Sequence, residues 1–518
     1  MSWYYYLLSV VVGVVVCSLL RKNGERDERE STASLPVIGV DSAQFLSWAR
    51  ASVRSIVSSA DIASRGYFEV CKKFERPFVM PSFGIGPIVV LSPSQFEVLN
   101  RSENEVMAFP AQMEVMQPRY MMGDRDLSLF RNAIQFDVVR RHMTKDTGFF
   151  APNTADELVN VFRHSLKLER DDWQVLDIWD TCLKIIGRTA NRTFIGLPLC
   201  RDENLLEQST LYAKTVFQGA TMITALPPFL RPFLGPLIGL TAKKYATRCM
   251  EILEPYVQDR LLIQLQQQKE KIPNDALQWM IEESVKGAGE TSASVIAQRL
   301  LILQLVSTYT TTYALTNIIV NLYGSNSRAD FIAGLRSECD QVAARYDGLS
   351  TKEAIDQLYR VDSAVRESLR VSPFAVIAPL RMTSRDGILD MGNGIQLSPG
   401  TRLGIPFQAV HYDDRFYDNP LDYDAFRFSR GFEGFHDNKT QTATQQLTPN
   451  VNESFLTFGY GRHVCPGRWY TAQTLKQVLA YIVQNHDVEL VGKPTPSRSI
   501  LNTILPPLGS AMRIRRRN

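Results

Sequence analysis

The chain has 518 residues, 45% hydrophobic and 10% aromatic, enough to bury a large core, and no Gly/Ser linker, internal repeat or low-complexity tract divides it. Its 57 basic and 54 acidic side chains give a net +3, too little to argue for a nucleic-acid partner. The absence of a P-loop or G-x-G-x-x-G run excludes a fused nucleotide module, and seven cysteines (17, 71, 182, 200, 249, 339, 465) without a C-x-x-C pair argue against a disulfide framework or structural zinc.

Tyr4 to Leu20 is an uninterrupted uncharged run followed by Arg21 and Lys22. At 1.5 Å per residue it reaches about 26 Å, close to the hydrocarbon thickness of a bilayer. A cleaved signal would carry its positive charge before the apolar stretch, so the pattern predicts a retained anchor over residues 1–22 with the following domain cytoplasmic. Residues 23–40 read as a charged linker ending in the proline-containing Leu35–Gly39, and residues 41–518 as one domain. The sequons at Asn100, Asn191, Asn438 and Asn452 are then expected to stay unglycosylated.

Strand-like segments run from about Lys73 to Leu91, and short β runs recur near 376–404 and 486–515; most of the rest reads as helix. Phe136-Asp-Val-Val-Arg140 lies on a helical stretch. Leu226 to Pro236 is an apolar, proline-broken connector that cannot be continuous helix, and reads equally as a buried loop or an exposed apolar patch. From about Ala293 to Tyr323 apolar residues recur at helical spacing around a hydroxyl-rich centre: Ser307, Thr308, Thr310, Thr311 and Thr312. Such hydroxyls can simply bond back to carbonyls one turn earlier. Glu367 and Arg370, three apart in VRESLR, can pair on one helix face, although solvated pairs of this kind are common.

Near the C-terminus stands Phe458-Gly-Tyr-Gly-Arg-His-Val-Cys465-Pro-Gly467. A thiolate is the metal-ligating form of cysteine, and it is favoured by neighbouring cations such as Arg462, His463 and Arg468 and by backbone N–H groups. Glycines at 459, 461 and 467 allow close backbone approach to a flat ligand, and Pro466 suits the start of a helix. A lone cysteine in a turn can also be a buried structural residue.

The ten-residue string resembles the haem-binding loop of cytochrome P-450 monooxygenases in the wording of fungal members, and the resemblance extends over about residues 35–518. It implies a mainly α fold with a smaller β portion, preceded by a single N-terminal transmembrane helix in the endoplasmic reticulum membrane. Cys465 would be the axial ligand of haem b, with Gly467 in the same cofactor loop, Phe458 packed against the haem and His463 at a propionate. Arg140 and Arg381 match arginines that meet propionates, although either could be an ordinary solvated charge. Glu367, Arg370 and Arg427 would form a structural triad that holds the cysteine loop. Thr310 would be the oxygen-activating residue, with Tyr309 standing where an acid is usual and Ser307 in place of a glycine, so Tyr309, Thr310 and ordered water would have to supply the protons.

The resemblance further implies NADPH–cytochrome P-450 reductase as electron donor, O₂, and a lipophilic substrate. The wording looks most like enzymes of fungal secondary metabolism similar to ent-kaurene oxidases, which suggests a terpenoid, meroterpenoid or polyketide–peptide. Met116, Phe374, Val376, Ile377 and Leu505 are the substrate-facing candidates. Arg140, Arg141, Lys145, Arg468 and Lys476 would make a basic dock for the reductase. Two other readings remain: a haem-thiolate enzyme that rearranges its substrate without net hydroxylation, and a non-enzymatic haem-binding membrane protein.

Overall fold

The computed structural model describes residues 35–41, 43, 45–144, 147–168, 172–266, 272–286, 292–432 and 446–517. The apolar run Tyr4–Leu20, and Cys17 within it, lie outside these residues. Among the described residues no helix is long and apolar enough to cross a membrane.

Helices dominate and strands are confined to short ladders. Helix α1 (Ser47–Gly66) precedes β1 (Phe78–Met80) and β2 (Ile88–Val90), all six strand residues being buried. These join β3 (Val106–Met107), β4 (Arg381–Thr383) and β5 (Arg402–Gly404) in a five-stranded sheet of order β1-β2-β5-β4-β3. Only β2 and β5 pair in parallel, Ile88 opposite Arg402 and Val90 opposite Gly404. A three-stranded antiparallel sheet places Ala511–Arg516 between Gln174–Asp177 and His486–Val491.

The central helix, α2 (Ala293–Gly324), spans 32 residues, about 48 Å at the helical rise. Ser292 caps it by accepting the Val295 N–H at 3.3 Å, and no proline or glycine interrupts it before Gly324. Its N-terminal half packs with Glu203–Ala225, Arg231–Leu265 and Ala276–Lys286 in one apolar cluster. Its C-terminal half joins a second cluster with Ile178–Phe194, α3 (Tyr359–Val371) and α4 (Arg468–Asn485). The five-stranded sheet supports a third. The cysteine loop sits where the three meet: Phe455 belongs to the second, Leu456 to the third, and Tyr470, just beyond the loop, to the first.

The proline-rich connector is broken only at 226–230. Helix resumes at Arg231 and continues through Pro236 and Pro255 to Leu265, so the proline effect is local. Phe229, Phe233, Leu237 and Leu240 are exposed there, Phe233 to 73%. The segment is thus an exposed apolar patch and not a buried loop.

Close packing of α1 on β1 depends on Gly66, where an added Cβ would lie 2.3 Å from the ring of Phe78, a side chain with no exposed surface. Gly66→Ala is therefore expected to cost about 1–3 kcal/mol through overpacking, read as a lower denaturant midpoint. An unchanged midpoint would mean that the ring has room to move.

Candidate functional site

Six of the seven cysteines fall among the described residues, and all are free. Cys71, Cys182, Cys200, Cys249 and Cys339 are buried, and burial pushes the thiols of Cys71, Cys182 and Cys249 up to about 12 and that of Cys200 to about 11. These are inert core residues. Cys465 alone of the six is partly open. Desolvation raises its thiol too, but the backbone N–H groups of Gly467 and Arg468 and the Arg468 charge oppose that shift.

The loop is held by its own backbone. Cys465 N–H donates to the Phe458 carbonyl at 2.8 Å, and Gly459 N–H to Leu456 at 2.7 Å. Gly461 has φ +74°, and a Cβ there would stand 1.9 Å from Asn100 Oδ1, which instead accepts the Arg462 N–H at 3.2 Å. That position therefore requires glycine. Arg468 reaches back to the Cys465 carbonyl (3.0 Å) and the Pro449 carbonyl (3.0 Å), and Thr144 Oγ1 donates to the Pro466 carbonyl at 3.3 Å. Phe458 is half-buried and packs on the α3–α4 side of the core.

Behind the loop stands α3, in which the ten residues Val361–Arg370 are all buried. Glu367 receives Arg370 Nε and Nη2, each at 2.8 Å, Arg427 Nε at 3.0 Å and Asp424 N–H at 3.1 Å. Arg370 also donates to the carbonyls of His411 (2.6 Å) and Pro420 (2.7 Å). Glu367, Arg370 and Arg427 are thus one hydrogen-bonded unit. Sequence reasoning missed His411. It is fully buried, its Nε2 accepts the Leu456 N–H at 2.9 Å, and its Nδ1 lies 3.0 Å from the Arg370 carbonyl, so Nδ1 carries the proton. Burial and the Arg370 charge push it down to about 3.

Arg381 is buried in β4. Its Nη1 donates to the Leu380 carbonyl at 2.9 Å, while Nε and Nη2 have no partner, and burial lowers it to about 10. His463 pairs with Glu103 at 2.6 Å, and both Arg381 and Arg140 lie near enough to disfavour its protonation. The two arginines and His463 converge. Arg140 is nevertheless largely solvent-exposed and bonded to Asp137 at 2.9 Å, so its present contact is a surface ion pair. It stands in a π-helical turn, Val139–Met143, that continues Ile134–Val138.

Burial of α2 is continuous over Arg299–Leu305 and Thr311–Ile319 but lapses over 306–310, where Thr310 is exposed. Thr310 Oγ1 donates to the Val306 carbonyl at 2.7 Å. Tyr309 does not join it. Its ring stacks on Phe217 (centroids 4.4 Å apart) and meets Trp179 edge-on at 5.2 Å, in a separate cleft of about 1110 Å³ shared with Thr308 and Gln304. Burial also raises the phenol pKa. Tyr309 and Thr310 thus meet different surroundings, the phenol in an aromatic stack and the hydroxyl on the exposed turn.

The substrate-facing candidates scatter. Met116 ends helix Phe109–Met116 half-buried, Phe374 is 42% exposed, and Leu505 is half-buried in Thr503–Leu505. Val376 and Ile377 are only 1% exposed and belong to the sheet's apolar core, so their surface is already used. Of the basic residues expected to dock a partner, Lys145 lies outside the described residues. Lys476 is buried on Asp362 at 3.6 Å, and Arg468 is committed to loop carbonyls. Arg140 and Arg141 remain exposed.

Among the described residues no three His, Cys, Asp or Glu side chains gather to hold a metal ion. Cys465 is therefore suited to a metal that brings its other ligands with it. A haem fits this donor set: one sulfur supported by backbone N–H groups, and a buried guanidinium with two unpartnered nitrogens beside His463, ready for a carboxylate. Cys465 would hold the iron, with Arg381 and His463 at the propionates.

The model described as Cytochrome P450 matches residues 61–510. Relatives include the cytochrome P450 monooxygenase htyF of Aspergillus rugulosus, 34% identical over 95% of this chain and 74% of that protein. Cytochrome P450 monooxygenase gloP of Glarea lozoyensis is 33% identical over 90% and 88%, and okaG of Penicillium ochrochloron 30% over 85% and 86%.

Two measurements test this geometry. Arg381→Met should leave the haem-free protein as stable or more stable, since an orphaned buried donor costs about 1–3 kcal/mol, while haem affinity falls by about 10- to 100-fold. Loss of both would mark Arg381 as a core prop. The second concerns acid. Free imidazole titrates near 6.5 and native His411 near 3. Between these values the unfolded chain binds a proton that the native chain refuses. The contribution is therefore complete above pH 6.5 and is lost as pH falls, at about 1.4 kcal/mol per pH unit. His411→Gln should show a correspondingly shallower loss of urea stability between pH 6.5 and 5, with equal slopes placing the acid sensitivity elsewhere.

Proposed function

The chain belongs to the cytochrome P450 family, and on that premise we propose that it hydroxylates a lipophilic fungal secondary metabolite at a membrane, fed by NADPH–cytochrome P-450 reductase. As a member of that family it is a haem-thiolate monooxygenase that takes electrons from a reductase. The observation that carries the reading is the loop that presents Cys465, the one partly open thiol among the described cysteines, on a turn braced from three cores.

Bound haem supplies O₂ activation, one oxygen atom going to substrate and one to water with two electrons and two protons. The residues do the rest. Cys465 gives the iron a thiolate whose charge is steadied by the Gly467 and Arg468 N–H groups. Arg381 and His463 orient the ring through its carboxylates. Thr310, on the open turn of α2, offers a hydroxyl that would release its bond to Val306 to hold a proton or a water for the reaction. Tyr309 is packed away, so protons reach Thr310 from water or substrate.

Residues 1–22 are read as the membrane anchor, 23–40 as linker and hinge, and 41–518 as the catalytic domain, cytoplasmic at the endoplasmic reticulum. The exposed Phe229, Phe233, Leu237 and Leu240 support a membrane-facing patch. Arg140 and Arg141, on the turn bonded to Pro466, support reductase docking beside the cysteine loop. A terpenoid, meroterpenoid or polyketide–peptide substrate suits this reading. The rearrangement alternative is kept alive by one feature: no acidic residue lies between 306 and 311 to deliver protons.

The reduced, CO-bound protein should give the red-shifted Soret band of a thiolate complex, absent in Cys465→Ala. With ¹⁸O₂, product should carry one labelled atom, and Thr310→Ala should raise NADPH use and peroxide release per product. Unlabelled product would favour rearrangement, and full coupling in Thr310→Ala would reduce Thr310 to a helix-packing residue. Phe229→Ser/Phe233→Ser in protein lacking residues 1–25 should lower binding to neutral phospholipid vesicles, and unchanged binding would remove the patch from the account.

A further inference from the structure

Next to the Glu367 unit, α3 carries a second buried cation whose contacts run toward the ligand loop. Arg366 is 2% exposed and among the described residues forms no ion pair; Asp362, the carboxylate whose charge it feels, is used by Thr448 N–H (2.8 Å) and Lys476 (3.6 Å). Arg366 Nη1 instead donates to two backbone carbonyls, Leu447 at 2.6 Å and Asn450 at 2.9 Å. Its guanidinium carbon lies 3.7 Å from the ring centre of Phe455 and 4.9 Å from that of Phe428. Burial lowers its pKa to about 10.

The carbonyl between those two anchors, Pro449, accepts from Arg468 Nε, and the same guanidinium bonds the Cys465 carbonyl. The turn 447–450 is thereby gripped from both sides. Arg366 and Asp362 hold it to α3, and Arg468 ties it to the residue that presents the sulfur. A buried charge needs partners for its donors; here Nη1 gives both of its bonds to the chain that leads into the loop, while Nε has no hydrogen-bond partner.

We infer that Arg366 is a positioning residue for Cys465, acting through the 447–450 turn and Arg468, and separate from the Glu367–Arg370–Arg427 unit. The site uses one guanidinium nitrogen for two carbonyls and sets the guanidinium carbon against an aromatic ring. Lysine cannot reproduce that combination. The inference rests on Cys465 being the haem ligand.

The test compares Arg366→Met and Arg366→Lys with the wild-type holoenzyme. The readouts are the rate of haem loss to a scavenging apoprotein, the reduced CO spectrum, and amide hydrogen exchange. Arg366→Met should lose haem about tenfold faster, the scale of losses from supporting partners of metal ligands. Part of its CO band should move from the thiolate position to the shorter-wavelength form. Exchange should quicken at Thr448, Asn450 and 465–468 before it does at 367–370. Arg366→Lys should fall between Met and wild type. If Arg366→Met yields no folded protein, Arg366→Lys decides: wild-type haem loss there overturns the inference, as does faster exchange spread evenly over the domain. Cys465→Ala separates the premise from the inference. A thiolate band surviving in Cys465→Ala sinks the ligand assignment itself, whereas normal protection of 447–450 in Cys465→Ala together with its loss in Arg366→Met supports the turn as Arg366's own.

Discussion

Everything around the sulfur depends on how α3 solves the problem of burying charge. Asp362, Arg366, Glu367 and Arg370 lie on one short helix with no exposed face to take them. A buried ion left without partners costs several kcal/mol. Two arginines neutralise Glu367, and Arg370 and Arg366 each donate from Nη1 to two backbone carbonyls, those of 411 and 420 and those of 447 and 450. The helix therefore cannot be satisfied unless long irregular stretches of chain take up one arrangement. Those stretches frame the cysteine loop, so the demand for hydrogen bonds in the core becomes geometric precision at the ligand.

His411 carries the same logic one step further. It is a buried imidazole held neutral, with one nitrogen on the Arg370 carbonyl and the other receiving Leu456 N–H, two residues before Phe458. Its proton has a single place to be, which fixes the tautomer and with it the direction of the bond to the loop. Arg381 differs in kind. The protein leaves two of its nitrogens without partners, a cost that makes sense where a ligand's carboxylate completes the set.

The central helix divides its labour by face. One turn, 306–310, breaks an otherwise continuous burial, and consecutive residues there look into different surroundings. Thr310 is open, while Tyr309 closes an aromatic stack with Phe217 and Trp179 at the wall of a separate cleft. A residue type that could serve as a proton donor is thus used for packing. The turn itself offers hydroxyls but no carboxylate.

The sequence by itself determined the loop around Cys465, because its glycines, its proline and the basic residues beside the thiol stand close together in the chain. It also determined the long helix, whose apolar spacing repeats over many turns, and the pairing of Glu367 with Arg370, which are local neighbours at i,i+3. Only the tertiary structure decided what depends on distant partners. Arg427 meets Glu367 across sixty positions and His411 meets Leu456 across forty-five. No local pattern separates Tyr309 from Thr310, buries Lys476 on Asp362, or consumes Val376 and Ile377 in the sheet core. Spacing along the chain states which side chains share a face, whereas which face is buried, and against what, is set by the packing of elements far apart in sequence.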